Sequence, residues 1–411
     1  MKNKVLSFTL ILLFILCLSL PTFASTGNYA FAIGSYRTAP IGSPTTDDPY
    51  PNPIDTREAV QYAANKYTAM GYNGNYRLDP SPATIRSCLN FNPTIVMFDA
   101  HGGADGIEFK NSYLTSNDNY NGPLRNINID ECNFSQTQLV IYMGCSTAKV
   151  GVSNITKETS VLLPSRACAI GWKGEIFTNA STKWSKEFHN ALANNYTVSN
   201  AINYANDSIY VDSTIKELMK YGGDPVLSSN SLSTMSSPTL DNKRHYITNT
   251  VYFNEDNLSN INSLIEEKFN ETNLSNYKTV VTKDCLVTDN ESDPDITIID
   301  YILQIDGFTT EYGYTVHIED NIVKYIVDNR EGTLPMARSS YTLSNNFSEL
   351  VDNYKNISAR AALVEYPTSH NAEQDYILYY DTKTGKRYII INTTNVTPSG
   401  SKMILSDYYE I

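Results

Sequence analysis

Ile95-Val96-Met97-Phe98-Asp99-Ala100-His101-Gly102-Gly103 and Leu139-Val140-Ile141-Tyr142-Met143-Gly144-Cys145-Ser146 are the stretches that decide the reading of this chain. Each is a short apolar run that stops at a reactive side chain, a histidine followed by two glycines in the first and a cysteine preceded by one glycine in the second. Runs of this kind, apolar throughout and closed by glycine, suit strands buried on both faces of a parallel sheet covered by helices. In such a sheet, residues just past the carboxyl ends of neighbouring strands share the crevice where ligands bind. His101 and Cys145, 44 residues apart in the chain, can therefore meet. A thiol beside an imidazole at that place is a nucleophile with its base.

Outward from these runs, strand and helix signals alternate. Tyr29 to Ile33 reads as a strand, and a Pro-rich loop follows over Pro40 to Pro53. A helix opens at Asp55-Thr56-Arg57-Glu58, where Asp55 or Thr56 can cap it, and runs through Val60, Ala63, Ala64, Tyr67 and Met70 at helical spacing to a stop at Gly71. Tyr76 to Leu78 suggests a strand, and Pro82 to Leu89 a short helix opened by Ser81 with Pro in its first turn. Gly106 to Phe134 is polar and turn-rich, a region of loop and hairpin. A further strand is expected at Ala167 to Trp172, an amphipathic helix at Thr178 to Leu192 and another from Val198 to Ala205. Alternation of this kind predicts an α/β fold, a mostly parallel sheet with helices on both faces.

The composition shifts at Ser228 to Pro238, whose serines suit a flexible linker. The expected organisation is a signal peptide over 1–24, a first domain over 25–227, a Ser-rich linker over 228–239 and a smaller α+β or mostly β domain over 240–411. In that last part a helix is expected at Ile261 to Phe269. Strands are expected at Thr297 to Ile305, Tyr314 to Ile318, Ile322 to Val327, Tyr376 to Tyr380 and Arg387 to Ile391. No chemistry motif occurs there, and its expected role is binding, inhibition or attachment, to a substrate, an inhibitor or the cell surface.

Lys2 and Lys4, the apolar run from Val5 to Leu20 and the small-residue site Thr22-Phe23-Ala24 have the form of a secretory signal. The apolar core is short for a membrane span, so the mature chain is expected to be secreted, with no later membrane span. The net charge is −13, becoming −15 once Lys2 and Lys4 are removed, which argues against a nucleic-acid partner. Outside the signal stand Cys88, Cys132, Cys145, Cys168 and Cys285. An odd count in an exported chain flags a free thiol, and Cys145 is the candidate; the others suit small buried apolar residues. Sequons such as Asn154-Ile155-Thr156 are numerous, as expected by chance in so Asn-rich a chain. No Cys/His cluster has zinc-ligand spacing and no Gly-rich phosphate loop occurs, so neither metal nor cofactor is expected. His189, His245, His317 and His370 stand in no motif.

Taken in order, Phe98-Asp99-Ala100-His101-Gly102 and Tyr142-Met143-Gly144-Cys145 resemble the signature of caspase-like, clan CD cysteine peptidases, in particular the bacterial clostripain, gingipain and CHAT-type group. The resemblance covers about residues 28 to 225 and omits the C-terminal domain. It implies a secreted endopeptidase acting on peptide or protein substrates without a cofactor. Cys145 would attack the scissile carbonyl to form a thioester. His101 would protonate the leaving amine, and the backbone amides of Gly102 and Cys145 would form the oxyanion hole. The chemistry of the residues agrees: an unperturbed thiol is only partly ionised near neutrality, and a glycine after the histidine lets an oxyanion approach backbone N–H groups.

One departure bears on specificity. Clostripain-like relatives place an acid two residues before the nucleophile, where this chain has Met143. Glu175 and Trp172 are candidates for the first substrate pocket, a solvated loop acid and a core Trp being the plain alternatives. Asp99 reads as a structural carboxylate, and Ser146 as a residue that positions the nucleophile turn or caps the next segment. The segment from Thr147 to Arg166, with Lys149, Lys157 and Arg166, reads as a loop open to self-processing. The competing reading is an inactive caspase-like exported scaffold or adhesin with a C-terminal binding domain. A wall-peptide hydrolase or acyl transferase ranks below both, because papain-like wall enzymes place Cys before His.

Overall fold

The computed structural model describes residues 28–37, 54–110, 112–120, 124–208, 217–227, 243–256, 258–271, 273–283, 285–288, 294–330, 347–362, 374–382, 384–396 and 402–411. The signal region, the Pro-rich loop, the Ser-rich linker and His370 lie outside them.

The elements of the first part are β1 (Tyr29–Gly34), α1 (Arg57–Ala69), β2 (Asn73–Leu78), α2 (Pro82–Asn90), β3 (Ile95–Asp99), β4 (His101–Gly103), β5 (Gly106–Phe109), β6 (Ser112–Thr115), β7 (Asn126–Asn128), β8 (Leu139–Tyr142), α3 (Ile155–Leu162), β9 (Cys168–Trp172), α4 (Thr178–Ala193), α5 (Val198–Asp207) and β10 (Leu218–Gly222). After residue 242 come β11 (Arg244–Tyr246), α6 (Ser259–Phe269), β12 (Tyr277–Thr282), β13 (Leu286–Thr288), β14 (Ile296–Ile305), β15 (Phe308–Glu319), β16 (Ile322–Asp328), α7 (Phe347–Ala362), β17 (Gln374–Asp381), β18 (Lys386–Val396) and β19 (Lys402–Glu410).

The first sheet has the order β13-β10-β9-β8-β3-β1-β2. Strands β9, β8, β3, β1 and β2 run parallel, and β10 is antiparallel to β9. Its central strands β1, β3, β8 and β9 are buried on both faces, which is why they read as continuous apolar runs rather than alternating ones. Parity then sorts the side chains. Ala30, Ala32, Ile95, Met97, Leu139, Ile141 and Met143 pack with α1, α4 and α5, through Val60, Ala63, Tyr67, Trp184, Phe188, Leu192 and Ile202. Phe31, Ile33, Val96, Phe98, Val140 and Tyr142 pack on the other face with Ile85 and Leu89 of α2, Ile107 and Phe109 of β5, and Ile155 of α3.

Local signals worked as their physics requires at α2, where Ser81 Oγ accepts from Thr84 N at 3.2 Å with Pro in the first turn. At α1 the outcome is different. The Thr56 side chain makes no cap bond; its hydroxyl lies 3.1 Å from both Ser35 O and Asp99 O, tying the helix entry to the ends of β1 and β3. Asp55 Oδ1 instead accepts from Arg57 N at 3.1 Å. The segment read as an open processing loop contains α3, capped by Asn154 accepting from Lys157 N at 2.9 Å. Lys157 therefore sits in a helical first turn, with the backbone an extended-chain peptidase does not accept, while Lys149 and Arg166 flank the helix.

The second part is α+β and strand-rich. Strands β12 and β14 to β16 form an antiparallel meander that packs Ile299, Tyr301, Val316 and Ile326 against Ile261 and Ile265 of α6. Val351 of α7 packs on Ile389 and Ile391 of β18. The two parts share their sheets. β13 pairs in parallel with β10 and so extends the first sheet. In the other direction, β19 pairs with β4 and joins the β4–β7 ribbon to the C-terminal sheet. All five cysteines from Cys88 to Cys285 are reduced thiols, and no helix among the described residues is long and apolar enough to cross a membrane.

Candidate active site

The strands β3 and β8 are parallel neighbours with Phe98 opposite Tyr142, and Met143 N donates to Phe98 O at 2.7 Å. The register brings the segments beyond their carboxyl ends side by side. A Cβ placed on Gly102 would stand 2.5 Å from Gly144 C and 2.7 Å from Cys145 N. No side chain fits there, and the absence of one lets the backbones of Gly102 and Cys145 touch. The amides proposed for an oxyanion hole are thus brought to one place. His101, immediately before this contact, is fully buried and pairs across the hairpin with Glu108, also fully buried.

Cys145 ends the β8 segment on the face that also holds Met143 and the helices α1 and α4. Its turn is held from three sides. Ser146 has φ of 59°, a left-handed conformation that a serine adopts only when its surroundings impose it. Ser146 N donates to Gly174 O at 2.7 Å and Ala148 N to Trp172 O at 2.9 Å, so the end of β9 supports the turn. Thr147 Oγ1 donates to Gly144 O at 3.0 Å, and Thr156 Oγ1 to Thr147 O at 2.9 Å, so α3 supports it as well. The thiol accepts from Ile176 N at 3.3 Å and lies 3.8 Å from Ile176 O. Sequence reasoning missed Ile176, because a loop residue that contributes only backbone leaves no signal of its own.

The remaining candidates separate. Glu175 is half-buried and precedes Ile176, which places it beside the nucleophile. Trp172 is fully buried and meets Trp184 edge-on at 5.0 Å between ring centroids, with Trp184 stacked on Phe188 at 4.8 Å. It is a core residue and not a pocket wall, because its parity on β9 turns it toward the helical layer. Asp99 closes β3, and burial pushes its carboxyl well above the usual range. It lines a small cavity with Thr56, Met143, Cys145, Ile176 and Ser181. Met143 lies in that same cavity. Burial also raises the Cys88 thiol, and pushes that of Cys132 up to about 12, so neither is poised as a nucleophile. His189, buried and bonded to Ser185 O at 2.6 Å and to the Tyr67 hydroxyl at 2.9 Å, is lowered to about 4 by burial and serves the core. Among the described residues no group of His, Cys, Asp and Glu is arranged to hold a metal ion.

A parallel sheet between helical layers, with a His-Gly strand end packed on a Gly-Cys strand end, is similar to the arrangement of caspase-like, clan CD cysteine peptidases. Residues 33–230 match the family model described as Peptidase family C25. A solved structure described as the complex of Porphyromonas gingivalis RgpB pro- and mature domains is similar at 15% identity and a TM-score of 0.34, over 76% of this chain and 64% of that one. The chain therefore spans slightly less than two thirds of that structure's length. A comparison with curated protein sequences found no match.

Proposed function

We propose that this chain is an exported bacterial cysteine endopeptidase with His101 and Cys145 as its catalytic pair. The observation that carries the reading is the packing of Gly102 on Gly144–Cys145, which sets a histidine, a thiol and adjacent backbone amides at the carboxyl ends of neighbouring strands. The Cys145 sulfur, its proton passed to His101, would attack the carbonyl carbon of a bound peptide, and the oxyanion would be held by the amides of Gly102 and Cys145. The C–N bond then breaks, His101 gives a proton to the departing amine, and a thioester remains. Water adds to the thioester carbonyl, loses its proton to His101, and releases the acid and the thiol. Glu175, one residue before the Ile176 amide that meets the thiol, would contact the residue before the scissile bond. The leader over 1–24 supports export.

The secreted chain from Ser25 to Ile411 and its Cys145→Ala variant, under reducing conditions, would be offered fluorogenic peptides varied before the cleaved bond. Cleavage by the wild type alone is expected. The absence of cleavage by either, including after limited proteolysis, favours the second reading, an inactive scaffold or adhesin. One observation speaks for that reading: His101 and Cys145 are 0% and 1% exposed.

A further inference from the structure

His101 and Cys145 are 0% and 1% exposed, and a strand of the C-terminal half lies at the edge of the hairpin that carries His101. β19 lies antiparallel to β4, with Lys402 opposite Gly102, the residue that packs on Cys145. The backbone of β19 thereby occupies the edge of the ribbon that carries His101. Farther along β19, the Tyr408 hydroxyl is hydrogen-bonded to Asn179 of α4, whose start comes directly after the loop that holds the Cys145 thiol. Lys183 of the same helix donates to Glu311 of β15 at 2.6 Å. At the end of α5, Asp207 accepts from Arg244 at 2.7 Å and from the Tyr325 hydroxyl at 2.9 Å. The contacts of the C-terminal half with the first part thus run from the buried end of α5, along α4, to the strand beside the nucleophile.

We infer that the C-terminal half is a built-in cover of the catalytic site, that the chain with β19 docked on β4 is the latent form, and that release of β19 admits substrate. The inference rests on the peptidase reading above and adds its regulation. A peptide carbonyl must come within about 3–3.5 Å of the attacking sulfur, and a thiol that is 1% exposed gives it no path. Some element has to leave, and the strength of the contacts decides which. Gly102–Lys402 is the single backbone pair joining β19 to β4 among the described residues. Lys183 and Glu311 are 39% and 27% exposed, so that pair adds little against solvent. Arg244 and Asp207 are 9% and 3% exposed, and breaking a buried pair of this kind is far more costly. Opening therefore begins at β19, the weakly held end, while the Asp207 anchor keeps the two parts together.

The test uses the full mature chain. Lys402→Pro removes the N–H at the paired position, and Glu311→Ala removes the exposed ion pair without touching a strand backbone. Two rates are read: alkylation of Cys145 by iodoacetamide, located by peptide mass spectrometry, and cleavage of a fluorogenic peptide. Cys88 and Cys168, both buried, serve as internal references. With β19 released, alkylation of Cys145 is expected to rise about tenfold or more in Lys402→Pro and about two- to fivefold in Glu311→Ala, with cleavage rising in step. Alkylation equally fast in the wild type and both variants overturns the inference. So does a loss of cleavage in Glu311→Ala with a native near-ultraviolet circular dichroism spectrum, because β19 would then complete the site. Faster alkylation with no cleavage in any form leaves the cover standing and removes the peptidase reading.

Discussion

Ser146, Gly102 and Cys145 show how much of the site is set by backbone and not by reactive groups. The left-handed φ of Ser146 is held by bonds from β9 and α3, and it turns the chain away so that Cys145 ends its strand at the crevice. The motif in sequence is Gly-Cys and His-Gly; the reason for both glycines is the approach of the two backbones. Gly102→Ala puts a methyl carbon 2.7 Å from Cys145 N, so the amides must separate. Loss of one oxyanion donor costs about 10²–10³ in kcat, and a loss of that size is expected with the fold retained. Steady-state kinetics on the variant, beside its circular dichroism spectrum, checks it; unchanged kcat would remove the amide of Gly102 from the site. His101 and Cys145 stand out as candidates in the sequence because each closes an apolar run. Ile176, which supplies the N–H to the thiol, does not, since any residue type presents the same amide.

Among the elements, the central strands were legible from apolar runs and the helices from their spacing, and the same parity explains both faces of the sheet. Several elements escaped, α3, β10, β11, β12, β13, α7 and β19 among them. α3 is too short and polar to show a helical stripe, and its role is to brace the nucleophile turn through Thr156. β10 is an antiparallel addition to the parallel strands, and β13 is three residues long. Trp172, a residue whose type suits either a pocket or a core, was decided by the side of β9 on which it falls. Trp172→Ala is expected to destabilise the first domain by about 3–5 kcal/mol, as for other large buried aromatics. Urea denaturation measures it; a change well under about 1 kcal/mol would mean that the Trp172–Trp184 contact is not part of the core.

Across the whole molecule, the buried cluster on Asp207 joins the last helix of the first part to the C-terminal sheet. His317 stacks on Tyr325 with ring centroids 4.6 Å apart, with Nδ1 3.7 Å from Asp207 and Nε2 3.4 Å from Glu319. Burial alone would lower its pKa, but the carboxylates of Asp207 and Glu319 outweigh burial and raise it above 6.5. Burial opposes ionisation of Asp207 too, and Arg244, His317 and Tyr325 together hold its carboxyl below 3.8. Lys324 completes the charges around Glu319 at 3.8 Å. By linkage, the contribution of His317 is whole below its unfolded value and is lost as pH rises through its raised folded value. That of Asp207 is present above its unfolded value and is lost as pH falls through its lowered folded value. The thermal midpoint should therefore fall by a few degrees, of order about 2–4 °C per kcal/mol, as pH rises from about 6.5 toward 9. His317→Gln should remove most of that slope. A midpoint that is flat over this range in the wild type would show that His317 is neutral in the folded chain.

What the sequence determined by itself was local in origin. Apolar runs long enough to be strands, helices with caps and periodicity, and the two reactive residues at strand ends are properties of short segments, and the parallel sheet results from their alternation. The tertiary structure decided what depends on pairing between distant segments. β13, from beyond the Ser-rich segment, extends the first sheet, and β19 closes on β4 beside the nucleophile. Backbone hydrogen bonds between strand edges are the same for nearly every residue type. A chain can therefore state where its strands lie without stating which edge each will meet, and in this protein those edges set β19 beside the contact of Gly102 with Cys145.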